Sequence, residues 1–278
     1  MKKIIQIILI CLLTCFSFYY TEKIIDFTKN KDPIMIKINE YKEKEEVPVI
    51  NASLTKTTML VGESGLSIDV DKSYEKMKKL DEFNANLLEY IEVMPNITKE
   101  NNLDKLIEGK NTKDKKLSFV FAIEDLSNLE EIIYILDQNE VSATFFMDGK
   151  LIENNLLKLN DIFKNDNTLG LYSYDNKYTN EALRYQKGML ERNINNASYY
   201  CLYINEEFFT TCIKNKVNTI KPTLIENNLY DYLKEKKQNG YIYQIKNNDL
   251  NIKELNSSLI YLKQKGYEIT NINNLLEE

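Results

Sequence analysis

The chain has 278 residues, with 36 Lys and Arg against 42 Asp and Glu for a net charge of −6, and 43% of its residues are apolar. That length allows one sizeable core and a smaller module, and the interspersed charges show no basic run interleaved with aromatics, so nucleic acid is not an expected partner. The sequence contains no histidine, which excludes any metal site built on imidazole and any acid–base mechanism that runs through one.

The N-terminus begins Met1-Lys2-Lys3 and continues over residues 4–20, apolar but for Gln6, Thr14 and Ser17. At about 1.5 Å per residue this stretch spans somewhat less than a hydrocarbon core of about 30 Å. Tyr19 and Tyr20 would sit at the interface, and the leading lysines favour an N-inside orientation. Residues 1–25 are therefore expected to be a signal anchor, a transmembrane helix that attaches the protein to the cell membrane by a single pass. A cleaved signal peptide is the alternative, with only Cys15-Phe16-Ser17 as a poor cleavage site. Lipidation of Cys15 is a third, poorly served by Thr14. All three readings place the main domain outside the cell.

Residues 26–116 read as a charged linker and a small α/β module. Residues 22–46 are charge-rich, ending in Lys-Glu-Lys-Glu-Glu at 42–46. Residues 47–50 contain Pro48 and suit an edge strand. Residues 61–67 hold two glycines and read as a loop. Residues 69–80 start with acids and end with lysines, which suits a helix dipole. A strand over 87–93 is stopped by Pro95, and 97–116 reads as a linker.

From residue 117 strands and helices alternate. Residues 117–123 are a continuous apolar run, as for a strand covered on both faces. Ser127 and Glu130 form a capping box ahead of Leu129, Ile132, Ile133 and Leu136, which share one helix face. Strands follow at 142–147, 168–174, 198–204, 218–220, 241–245 and 267–272. Helices are expected at 154–164, 180–192, 206–214 (capped by Asn205), 229–237 and 252–262. About six alternations imply right-handed crossovers and a mostly parallel sheet, open or closed into a barrel. Cys201 and Cys212 could pair, but each sits in an apolar run, and two buried free thiols are the expectation.

The stretch Ser142-Ala143-Thr144-Phe145-Phe146-Met147-Asp148-Gly149, then Leu169-Gly170, with Lys265-Gly266-Tyr267 near the end, resembles the NodB-type polysaccharide deacetylases over residues 117–278. The part before residue 117 is similar, less specifically, to membrane-anchored deacetylase-like proteins of low-GC Gram-positive bacteria. The resemblance implies a distorted (β/α) barrel with its site at the C-terminal ends of the strands. It also implies that the chemistry has been lost. In the family the first strand ends in an Asp-Asp pair, a general base and a metal ligand, where this chain has Ala122 and Ile123. Tyr172 and Asn176 stand at the two histidine positions of the second motif. Tyr200-Cys201-Leu202-Tyr203-Ile204 aligns with an Arg-x-Pro-Tyr-Gly-like motif and keeps only Tyr203. Tyr243-Gln244-Ile245-Lys246 lacks the final histidine.

No catalytic residue, metal ligand or cofactor is therefore assigned. The candidate ligand-binding residues are Tyr172, Tyr174, Asp175, Asn176, Tyr200 and Tyr203, near the predicted strand ends, where tyrosines, amides and carboxylates hold sugars by stacking and hydrogen bonds. The expectation is a catalytically inactive, deacetylase-like cell-envelope protein, binding a cell-wall or surface polysaccharide or a protein partner that the sequence does not name. The alternative is an active deacetylase using the displaced acids Glu124, Asp125 and Asp175.

Overall fold

A computed structural model describes residues 2–162, 166–194 and 197–277, in two compact units. In chain order the elements are helices α1 (Lys2–Asn30) and α2 (Pro33–Glu45), strands β1 (Ser53–Leu54), β2 (Thr58–Val61) and β3 (Gly65–Ile68), helix α3 (Val70–Lys78), and strands β4 (Tyr90–Val93) and β5 (Leu106–Lys110). Next come β6 (Lys116–Ile123), α4 (Leu129–Gln138), β7 (Thr144–Met147), α5 (Gly149–Asn154), α6 (Leu156–Ile162), β8 (Thr168–Leu171), α7 (Asn180–Asn193), β9 (Ala197–Leu202) and α8 (Glu206–Lys214). The chain ends with β10 (Thr219–Ile220), β11 (Thr223–Ile225), α9 (Leu229–Lys236), β12 (Ile242–Ile245), α10 (Asp249–Gln264), β13 (Glu268–Thr270) and α11 (Ile272–Leu275).

The first unit comprises residues 1–48 and 65–93. The carboxylate of Asp32 caps α2 by accepting from Ile34 N at 2.9 Å, with Pro33 in the first turn, where its missing N–H costs nothing. Ile34 and Ile38 then pack with Ile68 of β3, Met77 of α3 and Leu88. β3 and β4 pair antiparallel, so part of the stretch read as a loop is a strand. The expected membrane segment forms most of α1, and the side chains of residues 1–11 lie outside the described residues. Among the described residues no helix is long and apolar enough to cross a membrane.

The second unit, residues 49–64 and 94–278, is a curled α/β sheet. Its strands run in the order β1-β2-β5-β10-β9-β8-β7-β6-β12-β11, with β13 also on β6, and all pair parallel except β1 with β2. The sheet draws in β2 and β5 from ahead of residue 117, in a stretch whose sequence reads as module and linker. The curl is tightest where Gly109 bridges Tyr241 and Lys110 N donates to Gly240 O at 2.8 Å. A Cβ on Gly109 would stand 2.1 Å from the Gly240 oxygen, and one on Gly240 would stand 1.9 Å from the Lys110 oxygen. The two backbones can approach this closely only without side chains.

The strands separate two cores by alternation. Phe119, Phe121 and Ile123 of β6 pack outward with Leu129, Ile132 and Leu136 of α4. Val120 and the half-buried Ala122 face inward with Phe146, Leu202, Ile220 and Ile242, and α11 adds Ile272 and Leu275. Phe146 explains Gly170, because a Cβ there would lie 2.2 Å from its ring.

Three local expectations need correction. Ser127 does not cap α4: the cap position is Asn128, without a side-chain cap bond, because Ser127 gives its N–H and hydroxyl to Asp125. The helix expected over 154–164 is two, α5 and α6, and its end lies outside the described residues. Cys201 and Cys212 are joined in a disulfide rather than left as thiols. Cys201 points outward from β9, and α8 returns Cys212 against that same face.

Candidate functional site

The C-terminal ends of β6, β7 and β8 surround an open pocket of about 480 Å³. Ala122, Ile123 and Glu124 line it from β6, Asp148, Lys150, Leu151 and Asn154 from the turn after β7 and α5, and Tyr172, Asp175 and Asn176 from the turn after β8.

Asp148, the residue that organises this rim, reads in the sequence only as half of an Asp-Gly turn pair. Its carboxylate accepts from Ser173 Oγ at 2.6 Å, Lys150 N at 2.9 Å, and Asp175 N and Asn176 N at 3.1 Å each. Burial alone would raise its pKa. The Ser173 hydroxyl and the N–H groups of Asn176, Lys150 and Asp175 outweigh burial and hold the carboxyl below its usual range. Asp175 and Asn176 are both left-handed, with φ of 53° and 55°, and Tyr174 and Lys177 pair across them. This is a two-residue hairpin turn that Asp and Asn tolerate better than most side chains. Asp148 clamps it through its two central N–H groups.

A second tie holds Tyr172. Gln186 of α7, fully buried, donates to Met147 O at 3.1 Å and accepts from Tyr172 N at 3.2 Å, joining the ends of β7 and β8. Burial foremost, then Tyr178, Glu124 and Asp148, raise the Tyr172 pKa. The phenol therefore keeps its proton and offers a donor together with a ring face.

The sequence-predicted residues separate here. Tyr172, Asp175, Asn176 and Glu124 come together in the pocket. Tyr174, Tyr200, Tyr203 and Asp125 are not among its lining residues. Tyr174 lies against Gly149, donates to Glu153 at 2.6 Å and sits edge-on to Tyr185. Tyr200 packs against the inner core. Tyr203 donates to Glu206 at 2.9 Å, and Lys221 lies over its ring. Asp125 is engaged by Ser127. A larger hollow of about 620 Å³ is lined by Asp137, Glu140, Asp166 and Glu268, without an aromatic ring to stack a sugar.

The donor set does not fit the divalent metal that this kind of fold implies. Ala122 and Ile123 carry no ligand atom. Asp148 is saturated by four donors, and Asp175 is held by Lys150 at 3.0 Å and Lys177 at 3.2 Å. The Lys150 and Lys177 contacts lower the Asp175 pKa. Among the described residues no group of three or more acidic, cysteine or histidine side chains is placed to hold a metal ion. What remains is a polar pocket with one aromatic wall and fixed charges.

Known proteins sharpen this picture. Residues 109–198 match the family model described as polysaccharide deacetylase. An uncharacterized protein, YlxY, from Bacillus subtilis (strain 168) is 29% identical over 150 residues, which are 53% of this chain and 47% of that protein. The chain thus spans about half the length of this relative. The crystal structure of a wild-type CE4 family pseudoenzyme from Bacillus anthracis superimposes with a TM-score of 0.67 at 23% identity, covering 89% of this chain and 96% of that one. A mutant of that pseudoenzyme, described as having restored enzymatic activity, gives 0.66 at 23% identity, with 88% and 98% covered. At these identities the superpositions establish the fold.

Proposed function

We propose that this chain, which carries a polysaccharide deacetylase domain of the NodB/CE4 type, is a catalytically silent member that binds a glycan of the cell envelope over its strand ends. One observation carries the reading. The pocket lies at the strand ends, where the resemblance puts the reaction centre, yet Ala122 stands at the base position and Ile123, Tyr172 and Asn176 at the ligand positions, and two of its carboxylates are already satisfied.

A sugar entering the pocket meets the Tyr172 ring, the amides of Asn154 and Asn176, and the Lys150–Asp175 pair. Stacking on one ring adds about 0.5–1.5 kcal/mol beyond area burial, so affinity is weak and additive. Wall-derived and N-acetylated oligosaccharides titrated into the purified protein should perturb the Tyr172 resonances, and Tyr172→Ala should abolish the response. The same samples should release no acetate and hold less than stoichiometric metal after dialysis. Acetate release that disappears in Glu124→Ala or Asp175→Ala would establish the active alternative instead.

An extracellular setting with membrane attachment belongs to the same proposal. The Cys201–Cys212 disulfide suits an oxidising compartment. Leu12, Leu13, Phe16, Phe18, Tyr19 and Tyr20 are all exposed on α1, an apolar surface that lipid would cover. Release of full-length protein from carbonate-washed membranes would contradict attachment.

A further inference from the structure

A second surface of the barrel unit has the opposite electrostatic character. On the outer helices α9 and α10, a shallow groove of about 330 Å³ is lined by Tyr230, Ser257, Ile260, Tyr261 and Gln264. Tyr230 and Tyr261 meet edge to face, 5.5 Å between centroids. Lysines gather at the Tyr261 end. Lys237 Nζ donates to the Tyr261 hydroxyl at 3.0 Å and lies 4.9 Å from the ring centroid. Lys265 Nζ is 5.8 Å from the same centroid, and Lys115 Nζ donates to the Lys265 carbonyl at 3.0 Å.

Among the described residues, none of Lys115, Lys234, Lys237 and Lys265 has a carboxylate partner. Their ammonium contacts are to neutral oxygens, a phenol and two carbonyls. The concentration of positive charge is felt at Tyr261 itself: the hydrogen bond from Lys237, helped by Lys265 and Lys234, holds its phenol below the ordinary range. In a chain of net charge −6, unpaired cations gathered beside an edge-to-face tyrosine pair are a directed feature of the surface.

The lysines come from three separate stretches, 113–116, 234–237 and 263–265, each interrupted by acids or neutral residues. The sequence therefore shows no basic run, and the fold assembles the patch.

We propose that this groove is a second binding site, for a saccharide chain that carries negative groups, with a sugar ring on Tyr261 and its carboxylate or phosphate on Lys237 and Lys265. Ring faces with hydroxyl and amide neighbours are the chemistry of sugar recognition, and ammonium groups serve single anionic groups as point charges. A nucleic acid would need a longer cationic track, but the Tyr230 end of the groove is met by a carboxylate, Glu254, which accepts from Tyr230 N at 3.1 Å. A lipid surface would need an apolar wedge, and the groove offers one aliphatic side chain, Ile260. The site is independent of the strand-end pocket, and either can fail without the other.

The test titrates the full chain at low salt with four probes: hexagalacturonate, neutral chitohexaose, a short inorganic polyphosphate and a short single-stranded DNA. Tyr261 resonances are followed. Hexagalacturonate should bind, shift Tyr261 and not Tyr172, and weaken as salt screens the lysines. Lys237→Gln combined with Lys265→Gln should weaken it about tenfold, equivalent to about 1.4 kcal/mol. Tyr261→Phe should keep the fold and most of the binding, whereas Tyr261→Ala should lose it. Equal binding by the double lysine variant, or no binding at low salt, overturns the proposal. Tighter binding of polyphosphate or DNA than of hexagalacturonate also overturns it, because the ring would then play no part. A Tyr261 response to chitohexaose of equal strength removes the role assigned to charge and overturns it too.

Discussion

Tyr174 and Tyr261 stand for two regions of the barrel unit. At the strand ends, the Tyr174 hydroxyl donates to Glu153 at 2.6 Å, and that bond above all raises its pKa to about 12. On the α9–α10 face, the Tyr261 hydroxyl accepts from Lys237 and its pKa falls. Around Tyr174 the charges are spent internally: Glu153 on two tyrosines, Asp148 on four donors, Asp175 on two lysines. Around Tyr261 the lysines have no carboxylate among the described residues. A region whose charges are mutually satisfied offers a ligand fixed dipoles and a fixed shape, whereas a region with unspent charge attracts from a distance and is sensitive to salt.

The internal closure of the strand ends is broken most severely by Asp148→Ala. It leaves four donors without their acceptor, two of them in a left-handed turn, and should cost about 3 kcal/mol in urea unfolding. Because the Asp148 pKa is depressed in the fold, its contribution is present above the unfolded carboxyl value of about 4 and is lost as pH falls below it. The gap between wild type and Asp148→Asn should therefore narrow on acidification, and unfolding curves across the acid range will show it.

Gln186→Leu comes next, at about 2 kcal/mol, because Met147 O and Tyr172 N lose their partner. It should also blur the Tyr172 resonances.

The tyrosine contrast itself is sharpened by titrating phenolate absorbance. Glu153→Gln should bring Tyr174 down from about 12 towards the ordinary value of about 10. Lys237→Gln should move Tyr261 upward. Shifts in the same direction in both variants would remove the distinction. The smallest effect belongs to Lys150→Ala: the Lys150–Asp175 pair is exposed, and its loss should leave the unfolding midpoint nearly unchanged in the same assay.

Much of the curled sheet is legible in the sequence because its elements declare themselves by pattern. The run at 117–123 is β6, the stripe from Leu129 to Leu136 is α4, and Asn205 caps α8 by accepting from Phe208 N at 2.9 Å. β2 and β5 escape because four or five residues carry no decisive period, and their place in the sheet is set by partners far along the chain. The disulfide escapes because nothing local says that α8 returns Cys212 to the outer side of β9. Ser127 shows how a local rule loses to a nearer competitor, since Asp125 takes the hydroxyl that the helix would have used.

At the strand ends, Tyr172, Asp175 and Asn176 could be found from motif positions, and Glu124 as an acid displaced from one. Asp148 and Gln186 could not, because their roles consist of hydrogen bonds to backbone groups that strand packing assembles. Tyr174 and Tyr203 lie near the strand ends in sequence, but Glu153 of α5 and Glu206 at the start of α8 engage their hydroxyls outside the pocket.

The glycine seam at Gly109 and Gly240 bears on the order in which the molecule is built. Its two halves lie far apart in the chain, so the first is made long before the second. Until then β10 can pair only the first residues of β5, and an emerging chain must wait with the Gly109 end of that strand unfastened. Contacts of such long sequence separation are slow to form, because loop closure must come before they add stability. A bulky residue at either glycine would therefore register first as a lower yield of folded protein during expression, with the finished sheet held at its last seam by a stalled assembly step.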